Sequence, residues 1–303
     1  MRPAPCFAEM LSDPRNHVRP LPASVTLDQA RRAADQRLAL APKREVQTVR
    51  EVEIDAGDHS IPARLYLSQS ALNLPVMLFF HGGGWVWGSL DSHDSVCRSL
   101  ALDSGCAVLS VGYRLAPEAP YPAALEDAAT ALEWLRAEGQ TQGLDTDRIA
   151  LCGDSSGGHI ALALALRSET PLRHLGLFYP PLDPTCASNS HQTYGENHLL
   201  TREGMHWFWD LYQQNGPATL LLEEDFSRLP PTSIGLAQCD ILHDEGVSLN
   251  QRLQAAGVQT SLRVYEGMIH AFISLPHVTS TARMALADMA CDIRIAMQEG
   301  SDR

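Results

Sequence analysis

No apolar run in this sequence approaches the roughly 20 residues needed to cross a bilayer, so no membrane-spanning helix is expected. Positive charge is scarce: 23 lysines and arginines stand against 36 aspartates and glutamates, a net charge of −13. Without a basic stripe, nucleic acid is not expected as a partner. The seven cysteines are scattered and odd in number, with no Cys-x-x-Cys and no zinc-type spacing. Neither a disulfide framework nor a bound metal is therefore expected, and reduced thiols in the cytoplasm are. Cys152 and Cys239 end apolar runs and read as small core residues. The opening residues Met1-Arg2-Pro3-Ala4-Pro5-Cys6 begin no apolar stretch of the signal-peptide kind, which again favours a cytoplasmic protein. Internal repeats and low-complexity segments are absent.

What is present is an alternation. Val46–Ile54 and Ile61–Leu67 are β-rich and joined by Asp55-Ala56-Gly57-Asp58, which predicts an antiparallel hairpin. Val76–Phe80, Ala107–Val111, Ile149–Cys152, Leu175–Tyr179, Ile234–Cys239 and Leu262–Tyr265 are short apolar runs of the kind buried on both faces of a sheet. Helical stretches separate them, at about 92–103, 122–137, 156–164 and 243–256, and a closing helix is expected over about 279–298. The pattern predicts an α/β fold, a mainly parallel sheet with helices on both faces. Two regions stand outside it. Residues 1–44 lack strand character and contain one helix, about Asp28–Leu40, while residues 184–230 are polar loop around an aromatic helix at Met205–Tyr212.

The run Ile149-Ala150-Leu151-Cys152-Gly153-Asp154-Ser155-Ser156-Gly157-Gly158 passes from strand to helix through Gly-x-Ser-x-Gly. That pattern is a weak signal alone. Between a strand and an alanine- and leucine-rich helix it reads as a nucleophile elbow, with Ser155 at the apex and the Ser156 N–H turned toward an anion. Glycine at 153 and 157 fits the close crossing of strand and helix. If Ser156 were the apex, Asp154 would occupy one of those crowded places. After Phe80 comes His81-Gly82-Gly83-Gly84-Trp85. Three successive glycines are costly in backbone entropy and imply close backbone approach. No Gly-Lys-Ser/Thr follows, as a phosphate loop would require. An oxyanion hole from the N–H groups of Gly83, Gly84 and Ser156 is the better reading.

A serine hydroxyl needs a base, and the base a carboxylate to orient it. In a parallel sheet such groups gather at the C-terminal ends of strands. Ser155, Asp240 and His270 stand there, in the chain order Ser, Asp, His. Asp183 and Asp244 compete with Asp240 as the carboxylate. His81 reads as a brace of the glycine loop and His159 as a packed core residue, while His243 and His277 lack strand-end context. Arg114 and Glu118 read as a structural pair or loop brace. Trp85, and Trp207, Phe208 and Tyr212 of the aromatic helix, are candidate substrate contacts.

Taken together, His81-Gly82-Gly83-Gly84-Trp85, Tyr113-Arg114-Leu115-Ala116-Pro117-Glu118, Gly153-Asp154-Ser155-Ser156-Gly157-Gly158, Asp240 with Asp244-Glu245-Gly246, and His270 resemble the hormone-sensitive lipase family of α/β-hydrolases. The resemblance implies an α/β-hydrolase fold with an eight-stranded sheet (residues 45–183 and 231–303) and a helical cap built from residues 1–44 and 184–230. It implies a serine carboxylesterase that needs no cofactor, takes small acyl esters and works through an acyl-enzyme. Short- to medium-chain acyl groups are expected, because the aromatic helix looks compact. Two residues depart from the family pattern: Ser156 replaces alanine, and Ala271 replaces the glycine that commonly follows the histidine. A non-catalytic receptor on the same fold, or an amide or formamide hydrolase, are the alternatives. All three triad residues are present, which argues against the first. A homodimer is left open.

Overall fold

A computed structural model of the chain describes residues 1–70, 72–216, 221 and 224–298. Its strands are β1 (Thr48–Asp55), β2 (Ser60–Leu67), β3 (Leu74–Phe80), β4 (Ala107–Val111), β5 (Leu144–Asp154), β6 (His174–Phe178), β7 (Thr232–Cys239) and β8 (Thr260–Ile269). The α-helices are α1 (Ala8–Ser12), α2 (Leu27–Ala39), α3 (Asp94–Ser104), α4 (Ala123–Glu138), α5 (Ser156–Arg167), α6 (Asn189–Tyr194), α7 (Arg202–Tyr212), α8 (His243–Ala255) and α9 (Ser280–Gln298).

The strands form one eight-stranded sheet in the order β1-β2-β4-β3-β5-β6-β7-β8. The hairpin pairs β1 with β2 antiparallel, β2 also meets β4 antiparallel, and β3 to β8 run parallel. Burial explains the division of residue types. Every residue of β4 and β6 is buried, as unbroken apolar runs require, whereas the edge strand β1 exposes most of its length. Helix α5 is buried over ten of its twelve residues, which is why it carries alanine and leucine on all sides. Helices α3 and α9 cover one face of the sheet together.

Strand β3 lies between β4 and β5, so the connections leaving it and β5 diverge at this point. In open parallel sheets such a switch point opens a crevice beyond the strand ends. The His81 loop follows β3 and Ser155 follows β5. His81 and Ser155, 74 residues apart in the chain, therefore meet because neighbouring strands deliver them.

Several expectations need adjustment. Strand β8 extends to Ile269, because its pairing with β7 resumes across an irregularity near Ala237/Cys239, and His270 follows the strand directly. Helix α6 lies where polar loop was expected. Its N-cap Ser188 accepts from the His191 N–H, a short-range signal hidden in a serine- and asparagine-rich stretch. Arg114 and Glu118 do not pair with each other. Arg114 binds Asp127 and Glu126, and Glu118 takes Arg31 of α2 at 2.7 Å. Both residues are still braces.

Residues 1–44 lie against the sheet domain at several points. Ala4 donates to the Gly267 carbonyl at 2.8 Å and Phe7 is fully buried. Val18 donates to the Leu199 carbonyl at 2.7 Å and forms a parallel bridge with Leu200. Arg31 reaches the carbonyls of Val86 and Ala116. Helix α2 starts with a capping box between Thr26 and Gln29. Within the stretch 184–230, residues 217–220, 222 and 223 lie outside the described residues.

Candidate active site

Ser155 sits between β5 and α5 with φ 52 and ψ −125, an unfavourable conformation for a residue with a Cβ. Its N–H bonds the Phe178 carbonyl at 2.8 Å, which ties the turn to β6. The flanking glycines are demanded by contact. A Cβ on Gly153 would stand 2.4 Å from the Gly157 carbonyl group, and one on Gly157 would stand 2.0 Å from the Phe80 oxygen. Both obstacles are backbone, which cannot rotate away. Gly157→Ala is therefore expected to cost about 3 kcal/mol of stability, as overpacking of a rigid site does, and to displace the serine. Urea denaturation checks this, and an unchanged midpoint would show that the crossing is looser than described.

Ser155 Oγ lies 2.9 Å from His270 Nε2, and His270 Nδ1 lies 2.7 Å from Asp240 Oδ2. Asp240 Oδ1 accepts the Leu242 N–H at 3.1 Å, which fixes the carboxylate. Asp240 is 1% exposed, His270 8% and Ser155 7%, so only the serine–histidine end meets the cavity. The competing carboxylates are occupied elsewhere. Asp183 holds Thr185, and Asp244 accepts the Ser190 N–H. Glu245, next in the motif, is buried and takes the N–H groups of Leu182 and Asp183. Burial pushes its carboxyl up to about 8, against the pull of those two donors. Ala271 has φ 60, in the left-handed region. This is a physical reason for glycine to be the commoner residue there.

The histidines that sequence reading set aside are placed accordingly. His159 bonds the Pro181 carbonyl at 2.9 Å and packs edge-on against Trp85, and burial lowers its imidazole to about 4. His81 stacks on Tyr113 with centroids 4.3 Å apart, and the Tyr113 hydroxyl donates to the His81 carbonyl at 2.7 Å. His243 Nδ1 approaches the Ala237 carbonyl at 3.2 Å. His277 lines the cavity.

Gly83 and Gly84 have φ of 131 and 62, and both line the cavity beside Ser155. The Ser156 N–H belongs to the first turn of α5, whose leading N–H groups have no acceptor within the helix. The glycine loop and the positive end of a helix thus both lie beside the serine. The Ser156 side chain is fully buried.

The cavity over the serine has a volume of about 710 Å³. Phe208, Met205, Leu199 and Leu200 form one wall, and Leu275 and Val278 another. Met10, Val18 and Leu38 close it from the N-terminal segment. Of the four aromatic candidates, only Phe208 reaches it. Its ring lies against Gly84, close enough that a Cβ there would fall 2.4 Å from it. Trp85 turns under the loop and stacks on Tyr212, with centroids 4.3 Å apart and planes 6° from parallel. Trp207 packs near Trp87 at 5.8 Å and stays off the cavity wall. Trp87, which does line the cavity, was missed. It lies two residues beyond Trp85 in the same loop, and only the left-handed turn at Trp85 (φ 60) separates their fates. Among the described residues, no cluster of side chains is suited to hold a metal ion. None of their helices is long and apolar enough to cross a membrane.

A model of the α/β-hydrolase fold matches residues 77–274. The chain is 36% identical over 272 residues to an ethyl acetate hydrolase of Pseudomonas putida, covering 84% of this chain and 86% of that one. It is 37% identical over 246 residues to the carboxylesterase NlhH of Mycobacterium tuberculosis, with 76% of each covered. Among solved structures, EstE1, a thermostable carboxylesterase cloned from a metagenomic library, superposes with a TM-score of 0.87 at 34% identity, covering 92% of this chain and 100% of that one. The chain belongs to the hormone-sensitive lipase-like family of α/β-hydrolases.

Proposed function

We propose that the protein is a serine carboxylesterase in which Ser155, His270 and Asp240 carry the reaction. The observation that bears most weight is the unbroken run of contacts from Ser155 Oγ through His270 to Asp240, opening on one cavity. Neutral His270 takes the hydroxyl proton as Ser155 attacks the ester carbonyl. Asp240 orients the ring and stabilises the imidazolium that forms. The N–H groups of Gly83, Gly84 and Ser156 receive the oxygen as it becomes negative. His270 then returns the proton to the departing alcohol, and water, activated the same way, releases the acid from the acyl-enzyme. A panel of p-nitrophenyl esters set against the matching anilides tests the reaction class, and faster anilide cleavage would overturn it.

The substrate we propose is a small, uncharged acyl ester with a short to medium chain. Trp85, Trp207 and Tyr212 stand off the cavity wall and do not shorten the pocket. Phe208 and Trp87, which do line the cavity beside the glycine loop, support a limited chain length instead. Each methylene buried against Phe208, Met205 and the leucines gains about 0.8 kcal/mol, until the enclosed wall is filled. kcat/KM should climb several-fold from acetyl to a medium chain and fall again by palmitoyl. A maximum at palmitoyl would contradict this.

Residues 1–44 and 184–230 are proposed to form the cap, since both supply side chains to the cavity above the serine. A cytoplasmic location is supported by seven cysteines that form no disulfide. A second copy of the chain is a further proposed partner. Strand β8 ends the sheet with Val264 exposed on it, and sedimentation decides the matter.

A further inference from the structure

Beside the nucleophile lies a second histidine–carboxylate pair that the reaction above does not use. Asp154, next to Ser155 in the chain, is buried at the cavity wall. Its Oδ1 accepts the Gly82 N–H at 2.9 Å, and His93 Nε2 lies 3.2 Å from the same oxygen. His93 is also buried and also lines the cavity. It is the residue before α3, so a third element meets the glycine loop and the elbow at one carboxylate.

This carboxylate poses an electrostatic problem. It sets the glycine loop by holding Gly82, and a Cβ at Gly82 would fall 2.6 Å from its other oxygen. Yet a negative charge one residue from the serine opposes the negative charge that develops on the substrate oxygen. Something must offset it. The titratable groups facing Asp154 are His81, His93, Tyr113, Tyr179, Cys97 and Cys152. Burial holds the His81 imidazole down at about 4, so it is neutral at working pH. Burial pushes both tyrosines and both thiols up, so they are neutral as well. His93 is left.

The hydrogen bonds around His93 accommodate a proton on each nitrogen. The Ser92 hydroxyl has one proton, and it points at the Ser89 carbonyl at 2.9 Å. The same oxygen already accepts the Ser89 N–H at 2.9 Å. With that proton on the Ser89 carbonyl, His93 Nδ1, 2.8 Å away, is the donor toward the hydroxyl oxygen. Nε2 faces a carboxylate oxygen, which in its ionised form only accepts. Burial alone would raise the Asp154 carboxyl, but the charge and hydrogen bond of His93, with the Gly82 N–H, hold it below its usual range. On the far side stands Asp35 of α2, whose carboxyl burial raises against the pull of Ser89 and His93.

We propose that His93 is a positioning residue of the esterase reaction: as an imidazolium it neutralises Asp154, which can then fix the glycine loop without opposing the oxyanion. The proposal rests on the esterase reading. It concerns a group that acts through Asp154 and Gly82 and does not touch the reacting atoms.

The test compares wild type, His93→Gln and His93→Gln/Asp154→Asn on one p-nitrophenyl ester across pH 5 to 9. His93→Gln strands a buried carboxylate. Its kcat should fall between about tenfold and a hundredfold with little change in KM, less than for a lost oxyanion donor. The loss should deepen as pH rises, because Asp154 then ionises without a counter-charge. Adding Asp154→Asn keeps an acceptor for Gly82 while removing the charge. It should recover most of kcat and abolish the descending limb. A merely structural role would leave the shape of the pH profile unchanged and make the double variant no better than the single one; either result overturns the proposal. Should His93→Gln fail to fold, ¹⁵N-histidine spectra of the wild-type protein at pH 7 decide. Two protonated nitrogens on His93 support the proposal, and a neutral ring refutes it. Failure of the wild type to hydrolyse esters would defeat the esterase reading, whereas a normal wild type with an unaltered His93→Gln profile defeats this inference alone.

Discussion

Replacing Ser155 by alanine is expected to lower kcat on the order of a million-fold, the scale set by loss of the serine from other triads. The neighbouring hydroxyl cannot take over. Ser156 opens α5 with its side chain fully buried, while Ser155 Oγ alone stands 2.9 Å from His270. The local backbone reinforces the distinction. Gly153 and Gly157 occupy the two places where strand and helix cross, and the Asp154 side chain is committed to Gly82 and His93. Shifting the apex by one residue would drive that carboxylate into the crossing. Ser156→Ala keeps the backbone N–H and should stay within about tenfold of wild type. Steady-state kinetics on one ester measures both, with circular dichroism to confirm folding. Comparable losses in the two variants would mean that both hydroxyls act, contrary to this account.

Asp240→Asn should lower kcat by about ten-thousand-fold with KM little altered. An asparagine keeps the shape of the site, but it cannot hold the histidine in the tautomer the serine requires. The geometry singles out Asp240, whose Oδ2 is 2.7 Å from His270 Nδ1. Asp183 holds Thr185 with both oxygens, and Asp244 Oδ2 accepts the Ser190 N–H. Asp244→Asn is accordingly expected to cost stability more than activity, through the contact with the Ser190 N–H. A kcat loss for Asp244→Asn equal to that for Asp240→Asn would reassign the carboxylate.

The parts of this arrangement that were legible from sequence share a cause. Close backbone approach admits only glycine, so the loop at 82–84 and the elbow at 153–158 leave a fixed mark on the chain. Strands buried on both faces leave continuous apolar runs, and the residues that end them, such as Asp240, stand out. What stayed hidden depends on direction or on distant contact. Met205, Phe208 and Tyr212 share one face of α7, yet only its first turns reach the cavity; Tyr212 is already over Trp85. Trp85 and Trp87 differ only in which way one turn throws the ring. Met10, Val18 and Leu38 line a cavity formed by residues far along the chain, and no local pattern announces that. The meeting of His93 with Asp154 is equally non-local. It arises because α3 and the elbow approach the same crevice from different strands, whose order in the sheet is not written in either segment.

Covalent labelling tests the central assignment most directly. A fluorophosphonate added to the wild-type protein, followed by proteolysis and mass spectrometry, should place one adduct on Ser155, with none on Ser155→Ala and normal labelling of Ser156→Ala. An adduct on Ser156 in the wild type, or undiminished labelling of Ser155→Ala, would contradict the account.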